Sequence, residues 1–214
     1  MSYSVKEIFH TLQGEGMHSG RPAVFLRFTG CNLWSGRERD RQKGPGGCSA
    51  WCDTDFVGSD GPGGGRFSTA REVAKAVDET WVQGPRSRPL VVCTGGEPLL
   101  QLDDELILAL HDKGFDVAIE TNGTRTPPSG IDWVCVSPKA ESELVVTAGD
   151  ELKLVFPQEG AEPERFENLD FAHFSLQPLD DAAQKQNTVA AVQYCLDHPQ
   201  WRLSLQTHKF LGIP

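Results

Sequence analysis

Leu90-Val91-Val92-Cys93-Thr94-Gly95-Gly96-Glu97-Pro98 decides the fold. An unbroken apolar run that stops on two glycines and a proline reads as a strand buried on both faces, as in a parallel sheet. Asp103 then caps a helix that carries Leu106, Ile107 and Leu110 inward and stops at Gly114. A strand followed directly by a helix is the unit of an α/β fold, and the glycines stand at the strand's C-terminal end, where barrel enzymes place their chemistry. They either let a ligand approach the backbone or simply turn the chain toward the Asp103 helix.

The same alternation extends in both directions. Runs of strand character occupy residues 23–28, 89–93, 117–120, 133–137, 152–156, 173–177 and 202–206, close to a barrel's worth. Ser68 is positioned to cap a helix through Trp81 with Val73, Val77 and Trp81 on one stripe, and a third helix is expected over 182–197 with Val189, Val192 and Leu196 facing inward. Residues 138–149 are too few for an ordinary crossover helix, so helices should be fewer than strands. An incomplete α/β barrel fits, as one domain over residues 1–214, with loops at 37–47 and 59–65 flanking the cysteines.

The chain has 214 residues, 38% hydrophobic, enough for one cored domain. Its formal charge of -10 repels nucleic acid. Neither an apolar stretch of about 18 residues nor a signal-peptide core is present, so the expectation is a cytoplasmic protein without membrane contact. Six cysteines in a reducing compartment point to metal rather than disulfides.

Cys31, Cys48 and Cys52 share one loop-rich stretch, and Cys93, Cys135 and Cys195 fall among Val and Leu and read as core. Structural zinc wants a fourth protein ligand, for which His10 and His18 are the nearby options. Three cysteines alone suit an iron–sulfur cubane with one iron open. Three buried cysteines without metal is the bland alternative, disfavoured by the polar, Gly-rich surroundings.

Several motifs together, in order, resemble those of the 7-carboxy-7-deazaguanine synthase family of radical S-adenosyl-L-methionine (SAM) enzymes. They are Thr11-Leu12-Gln13-Gly14-Glu15-Gly16, Arg27-Phe28-Thr29-Gly30-Cys31-Asn32-Leu33, Trp51-Cys52-Asp53-Thr54, Thr94-Gly95-Gly96-Glu97-Pro98, Glu120-Thr121-Asn122-Gly123, Ser137-Pro138-Lys139 and Gln177-Pro178. The ligand spacing departs from the superfamily's usual C-x3-C-x2-C: this chain reads C-x16-C-x3-C, which bears chiefly on Cys48. A loop absorbs an added residue at little entropic cost.

The resemblance implies a partial TIM-like barrel and a 4Fe-4S cluster on Cys31, Cys48 and Cys52, within a cluster loop spanning about 29–66. It implies SAM contacts from Trp51, Cys52, Asp53, Gly95, Gly96, Glu97, Ser137, Pro138, Lys139, Gln177, Pro178, Leu179 and Asp180. Substrate contacts would come from Leu12, Gln13, Gly14, Arg27, Thr94 and Pro214, with Mg2+ at Thr54. Arg27 has the planar fork that grips a carboxylate, although a plain salt bridge explains it equally well from the residues alone. The Pro214 carboxylate is expected to fold back onto the substrate's nitrogen-rich edge.

The implied reaction converts 6-carboxy-5,6,7,8-tetrahydropterin to 7-carboxy-7-deazaguanine with loss of ammonia, toward queuosine and other deazapurines. The radical comes from SAM, so no side chain is assigned as acid or base. The resemblance further implies a homodimer, a small-molecule pterin substrate and an electron donor such as flavodoxin or ferredoxin. Two other readings remain open here: another radical SAM enzyme such as a glycyl-radical activase, and a zinc-stabilised binding module.

Overall fold

The computed structural model describes residues 2–41, 44, 47–82 and 88–214. Within the predicted loop 37–47, Gln42, Lys43, Pro45 and Gly46 lie outside the described residues. The chain opens with an antiparallel pair, β1 (Tyr3–Leu12) and β2 (Pro22–Phe28), and β3 (Gly65–Phe67) adds to the far edge of β1. From β2 onward every pairing is parallel, through β4 (Leu90–Gly95), β5 (Asp116–Thr121), β6 (Trp133–Val136), β7 (Ala148–Phe156), β8 (Asp170–Pro178) and β9 (Trp201–Leu203). The nine strands lie in the order β3-β1-β2-β4-β5-β6-β7-β8-β9, so the two edges do not meet and the barrel is incomplete.

The α-helices are α1 (Ala70–Thr80), α2 (Asp104–Asp112), α3 (Gln184–Asp197) and the short α4 (Thr207–Leu211). No helix crosses between β6 and β7, as the short connection requires. No helix among the described residues is long and apolar enough to cross a membrane.

Local chemistry explains the helix starts. Thr69, not the expected Ser68, caps α1: its side chain accepts from the Glu72 amide while Glu72 reaches back, a reciprocal capping box. Asp103 caps α2 by accepting from the Leu106 amide at 3.0 Å. Val73 and Val77 of α1 and Leu106, Ile107 and Leu110 of α2 then pack on Val24, Leu26, Val91, Cys93 and Ile119 from the outer face of the sheet. Burying each such side chain is worth roughly 1.5–3 kcal/mol.

The expected face of the third helix is wrong. Val189 and Leu196 are each 71% exposed, whereas Asn187 and Ala191 are buried. The Asn187 amide donates to the Leu179 carbonyl and the Asp181 carboxylate, and Tyr194 stacks on His198 and meets Phe156 and Trp201. Those contacts set the rotation of α3, and the apolar stripe is left outward.

Inside the barrel, Ala23, Leu90, Val92 and Ala118 pack with Phe25 and Trp133. Leu90 and Trp133 each begin a strand, and His18 lies over Trp133 with ring centroids 4.4 Å apart. Apolar side chains thus fill the N-terminal end of the barrel. A pocket opens at the C-terminal end.

The open seam is closed by the loop after β1 and by the chain's last segment. Gly14 carbonyl accepts from the Thr207 amide at 2.9 Å and hydroxyl at 2.8 Å, Gly16 N–H donates to Ser204 at 2.9 Å, and Met17 N–H donates to Glu151 at 3.1 Å. The Thr11 hydroxyl donates to Pro214 at 3.1 Å, bringing the end of the chain back to the first strand.

Candidate active site

The pocket at the strand ends has a volume of about 380 Å³, within the range of small-molecule sites. Cys31, Cys48 and Cys52 line it together. Cys31 arrives just past β2, and the end of β4 packs directly on it: a Cβ at Gly96 would stand 2.2 Å from the Gly30 carbonyl and 2.8 Å from Cys31 Cβ. At Gly95, whose φ is +137°, a Cβ would stand 2.3 Å from the Phe28 carbonyl. The glycine pair is therefore required by the chain itself, which sets Cys31 at the pocket wall.

Cys48 and Cys52 belong to one turn, with Cys52 N–H donating to the Cys48 carbonyl at 2.8 Å. Arg41 crosses Trp34 at 5.0 Å and donates to the carbonyls of Ser49 and Cys52, so the turn is fastened from outside the pocket. Burial pushes the Cys48 thiol up to about 11 and raises Cys31 as well. Half-buried Lys139, above the Trp51 ring at 5.5 Å, is itself lowered by desolvation even with Cys48 and Cys52 nearby. Thiols as poorly solvated as those of Cys31 and Cys48 ionise most readily when bonded to metal, and with Cys52 on the same wall they fit a cluster. Among the described residues no three His, Cys, Asp or Glu converge on a single metal ion. His10 meets Trp81 and His18 covers Trp133, so neither serves the cysteines.

On β2, the strand that leads into Cys31, Arg27 donates to Glu7 at 2.7 Å and lines the pocket with Phe9, Phe25 and Thr94. Deeper lies a charged cluster: Lys153 donates to Glu15 at 2.6 Å and to Glu120 at 3.1 Å.

No protein-family model matches the chain. A 7-carboxy-7-deazaguanine synthase of Caulobacter vibrioides is 64% identical over 214 residues, covering 100% of both chains. This chain belongs to the 7-carboxy-7-deazaguanine synthase family. A synthase of Bordetella pertussis is 62% identical and one of Bacteroides thetaiotaomicron 42%, again over the full length of both. The crystal structure of QueE from Escherichia coli aligns with a TM-score of 0.71 at 28% identity, over 97% of this chain and 95% of that one. Membership in this synthase family makes the chain an enzyme and favours neither the activase nor the zinc module.

Relative to the residues expected for such a synthase, the structure brings Leu12, Gln13, Gly14, Arg27, Trp51, Asp53, Thr54, Thr94, Gly95, Gly96, Ser137, Lys139, Gln177 and Pro214 to the pocket wall with the three cysteines. Glu97, Pro138, Pro178, Leu179 and Asp180 are not on that wall. Glu97 is fully buried, its carboxylate accepting from the amides of Leu99 and Asn122 and the Thr121 hydroxyl. It builds the wall rather than faces the pocket. The Leu179 carbonyl receives Asn187, and Asp180 receives Lys209.

Sequence reasoning missed Glu15, Glu120, Lys153, Gln206, His208 and Lys209, all on the pocket wall. One signal was present: Glu151 and Lys153 alternate with Leu152 and Leu154, the pattern of a strand with a polar barrel interior. His208 lies against Gly14, where a Cβ would stand 2.3 Å from its Nδ1.

Proposed function

We propose that this chain performs the reaction its relatives are named for, forming 7-carboxy-7-deazaguanine by radical ring contraction of 6-carboxy-5,6,7,8-tetrahydropterin with loss of ammonia. The observation that carries the reading is the shared pocket of Cys31, Cys48, Cys52, the Gly95–Gly96 strand end and Arg27. When bound, a 4Fe-4S cluster with SAM supplies the one-electron chemistry that starts the reaction.

The chain's own residues bind and orient. Cys31, Cys48 and Cys52 hold the cluster. Trp51, Asp53, Gly95, Gly96, Ser137, Lys139 and Gln177 contact SAM from the wall they share, while Glu97 acts indirectly, by fixing Thr121 and Asn122. Arg27 grips the substrate carboxylate with the nitrogens it does not give to Glu7. Leu12, Gln13, Gly14 and Thr94 bound the ring, and the Pro214 carboxylate meets its nitrogen-rich edge. This arrangement keeps the reacting atoms close and other hydrogen donors out.

Thr54 offers magnesium a single hydroxyl on the pocket wall. A magnesium ion there takes its remaining oxygens from substrate and water. On the same reading residues 1–214 act as one domain in a cytoplasmic homodimer, and a flavodoxin or ferredoxin delivers the electron.

The test is anaerobic reconstitution with iron and sulfide, then incubation with dithionite, SAM and 6-carboxytetrahydropterin. Both 5′-deoxyadenosine and 7-carboxy-7-deazaguanine are expected. SAM cleavage without the deazaguanine would keep the radical class and sink the substrate; failure to bind iron would sink both. A tag appended after Pro214 should cut turnover at least about ten-fold through lost positioning, and an N-terminal tag should not.

A further inference from the structure

Lys153 is an unusual occupant of a barrel. Its side chain is 5% exposed, and its ammonium joins two carboxylates from different parts of the chain: Glu15 in the loop after β1 and Glu120 at the end of β5. The surrounding amides complete the cluster. Gln177 and Gln206 donate to the Glu15 oxygen that Lys153 leaves free, at 3.1 and 3.0 Å, so both Glu15 oxygens are occupied. Glu120 differs: Gln13 and Lys153 both donate to its Oε1, at 3.0 and 3.1 Å, and Oε2 has no hydrogen-bond partner among the described residues. Glu120, Glu15, Lys153 and Gln13 all line the pocket.

We propose that Lys153 is a positioning residue for the reaction: by clamping Glu15 and Glu120 it fixes Gln13, Gly14 and the open oxygen of Glu120 against the bound ring. The clamp ties β7 to β5 and to the loop that closes the barrel seam, so one side chain sets the distance across the pocket floor. Two carboxylates and one ammonium leave the floor with one net negative charge, suited to a ring edge rich in N–H donors. This rests on the pterin reading of the pocket.

Other titratable groups face the clamp. Cys135 of β6 is buried beside Lys153, Lys139 lies beyond β6, His208 of α4 acts on Glu15, and Glu151 precedes on β7. Burial alone would push the Glu15 carboxyl up, but Lys153, Gln206 and His208 together bring it down to about 2. Burial alone would lower Lys153; Glu120 and Glu15 raise it well above its ordinary value. Both partners therefore stay charged across the neutral range. Without the ammonium, two carboxylates would share one buried site, which like charges do not tolerate.

The experiment compares wild type with Lys153→Met, Lys153→Arg and Glu120→Gln by carbon-detected NMR of glutamate carboxyls in the protein without cofactors. Binding of 6-carboxypterin between pH 5.5 and 8.5 is measured alongside. Lys153→Met should show one carboxyl titrating at least about 2 pH units above the Glu15 value. It should bind the pterin at least about ten-fold more weakly, with a new pH dependence, while Lys153→Arg recovers most of both. Glu120→Gln, which keeps Lys153 paired with Glu15, should weaken binding without the new carboxyl titration. Unchanged carboxyl titration, or unchanged pterin affinity in Lys153→Met and Glu120→Gln alike, would overturn the proposal. If wild type itself fails to bind 6-carboxypterin while the carboxyl shifts as expected, the clamp stands and the pterin reading falls.

Discussion

Lys209 of α4 donates to Asp53 of the cysteine loop at 2.7 Å, and the same ammonium reaches Asp180 past β8. One side chain thus ties the last helix to the cysteine loop and to the segment that follows β8. Lys209 is 34% exposed and Asp53 56%, so the pair is worth at most about 1 kcal/mol in global stability. Its effect should be local. Lys209→Met is expected to speed amide hydrogen exchange in Thr207–Leu211 by about five-fold, with the thermal midpoint within about 2 °C of wild type. Unchanged exchange would assign the hold on α4 to the Thr207–Gly14 contacts instead.

Glu97 offers a test of the wall itself. Its carboxylate receives three donors in a site closed to solvent. Glu97→Gln turns an amide N–H2 toward groups that also donate, which costs about 2 kcal/mol or more. Thermal denaturation should show a midpoint lowered by about 4–8 °C. A smaller shift would mean the loop relaxes around the amide.

The cysteine assignment divides the six residues into two groups. Cys31→Ala, Cys48→Ala and Cys52→Ala should each reduce reconstituted iron and sulfide below about a tenth of wild type. Cys195→Ala, on the outer helix packed near Tyr194 and Trp201, should load normally. Full loading of Cys48→Ala would remove it from the ligand set and reopen the question its spacing raises.

Acid sensitivity should follow the Glu15–Lys153 pair. The Glu15 carboxyl sits at about 2 in the folded chain, below the roughly 4.3 of an unfolded glutamate. A depressed carboxyl contributes stability that is complete above the unfolded value and is lost as pH falls through the folded one. Lys153→Met should destabilise by about 3–5 kcal/mol at pH 7, since it leaves two largely buried carboxylates without their cation. Urea denaturation as a function of pH should show that difference shrinking between about pH 4 and pH 2.

Much of the scaffold is legible in the chain because it depends on local patterns. The run into Gly95–Gly96, the Asp103 cap and the Val73–Val77–Trp81 stripe each act within a few residues. β1 was missed for an equally local reason. A register shift between Val5 and Glu7 breaks the alternation, so Tyr3, Val5 and Ile8 are buried together without a period of two. Strand ends also moved: β7 begins at Ala148 rather than 152, and β9 ends at Leu203 rather than 206.

By itself the sequence determined the family, the cysteine trio, the parallel β/α order and most of the pocket wall, because ordered motifs and short-range periodicity are written along one dimension. Tertiary structure alone decided that Glu97 faces the protein, that α3 turns its valines outward, and that Glu15, Glu120, Lys153 and His208 meet. Those residues lie up to 193 positions apart, and their partners are chosen by which strands become neighbours and which loop closes the seam. Charges that pair across a barrel leave no periodic trace. Their burial becomes affordable only once the partner has arrived in space.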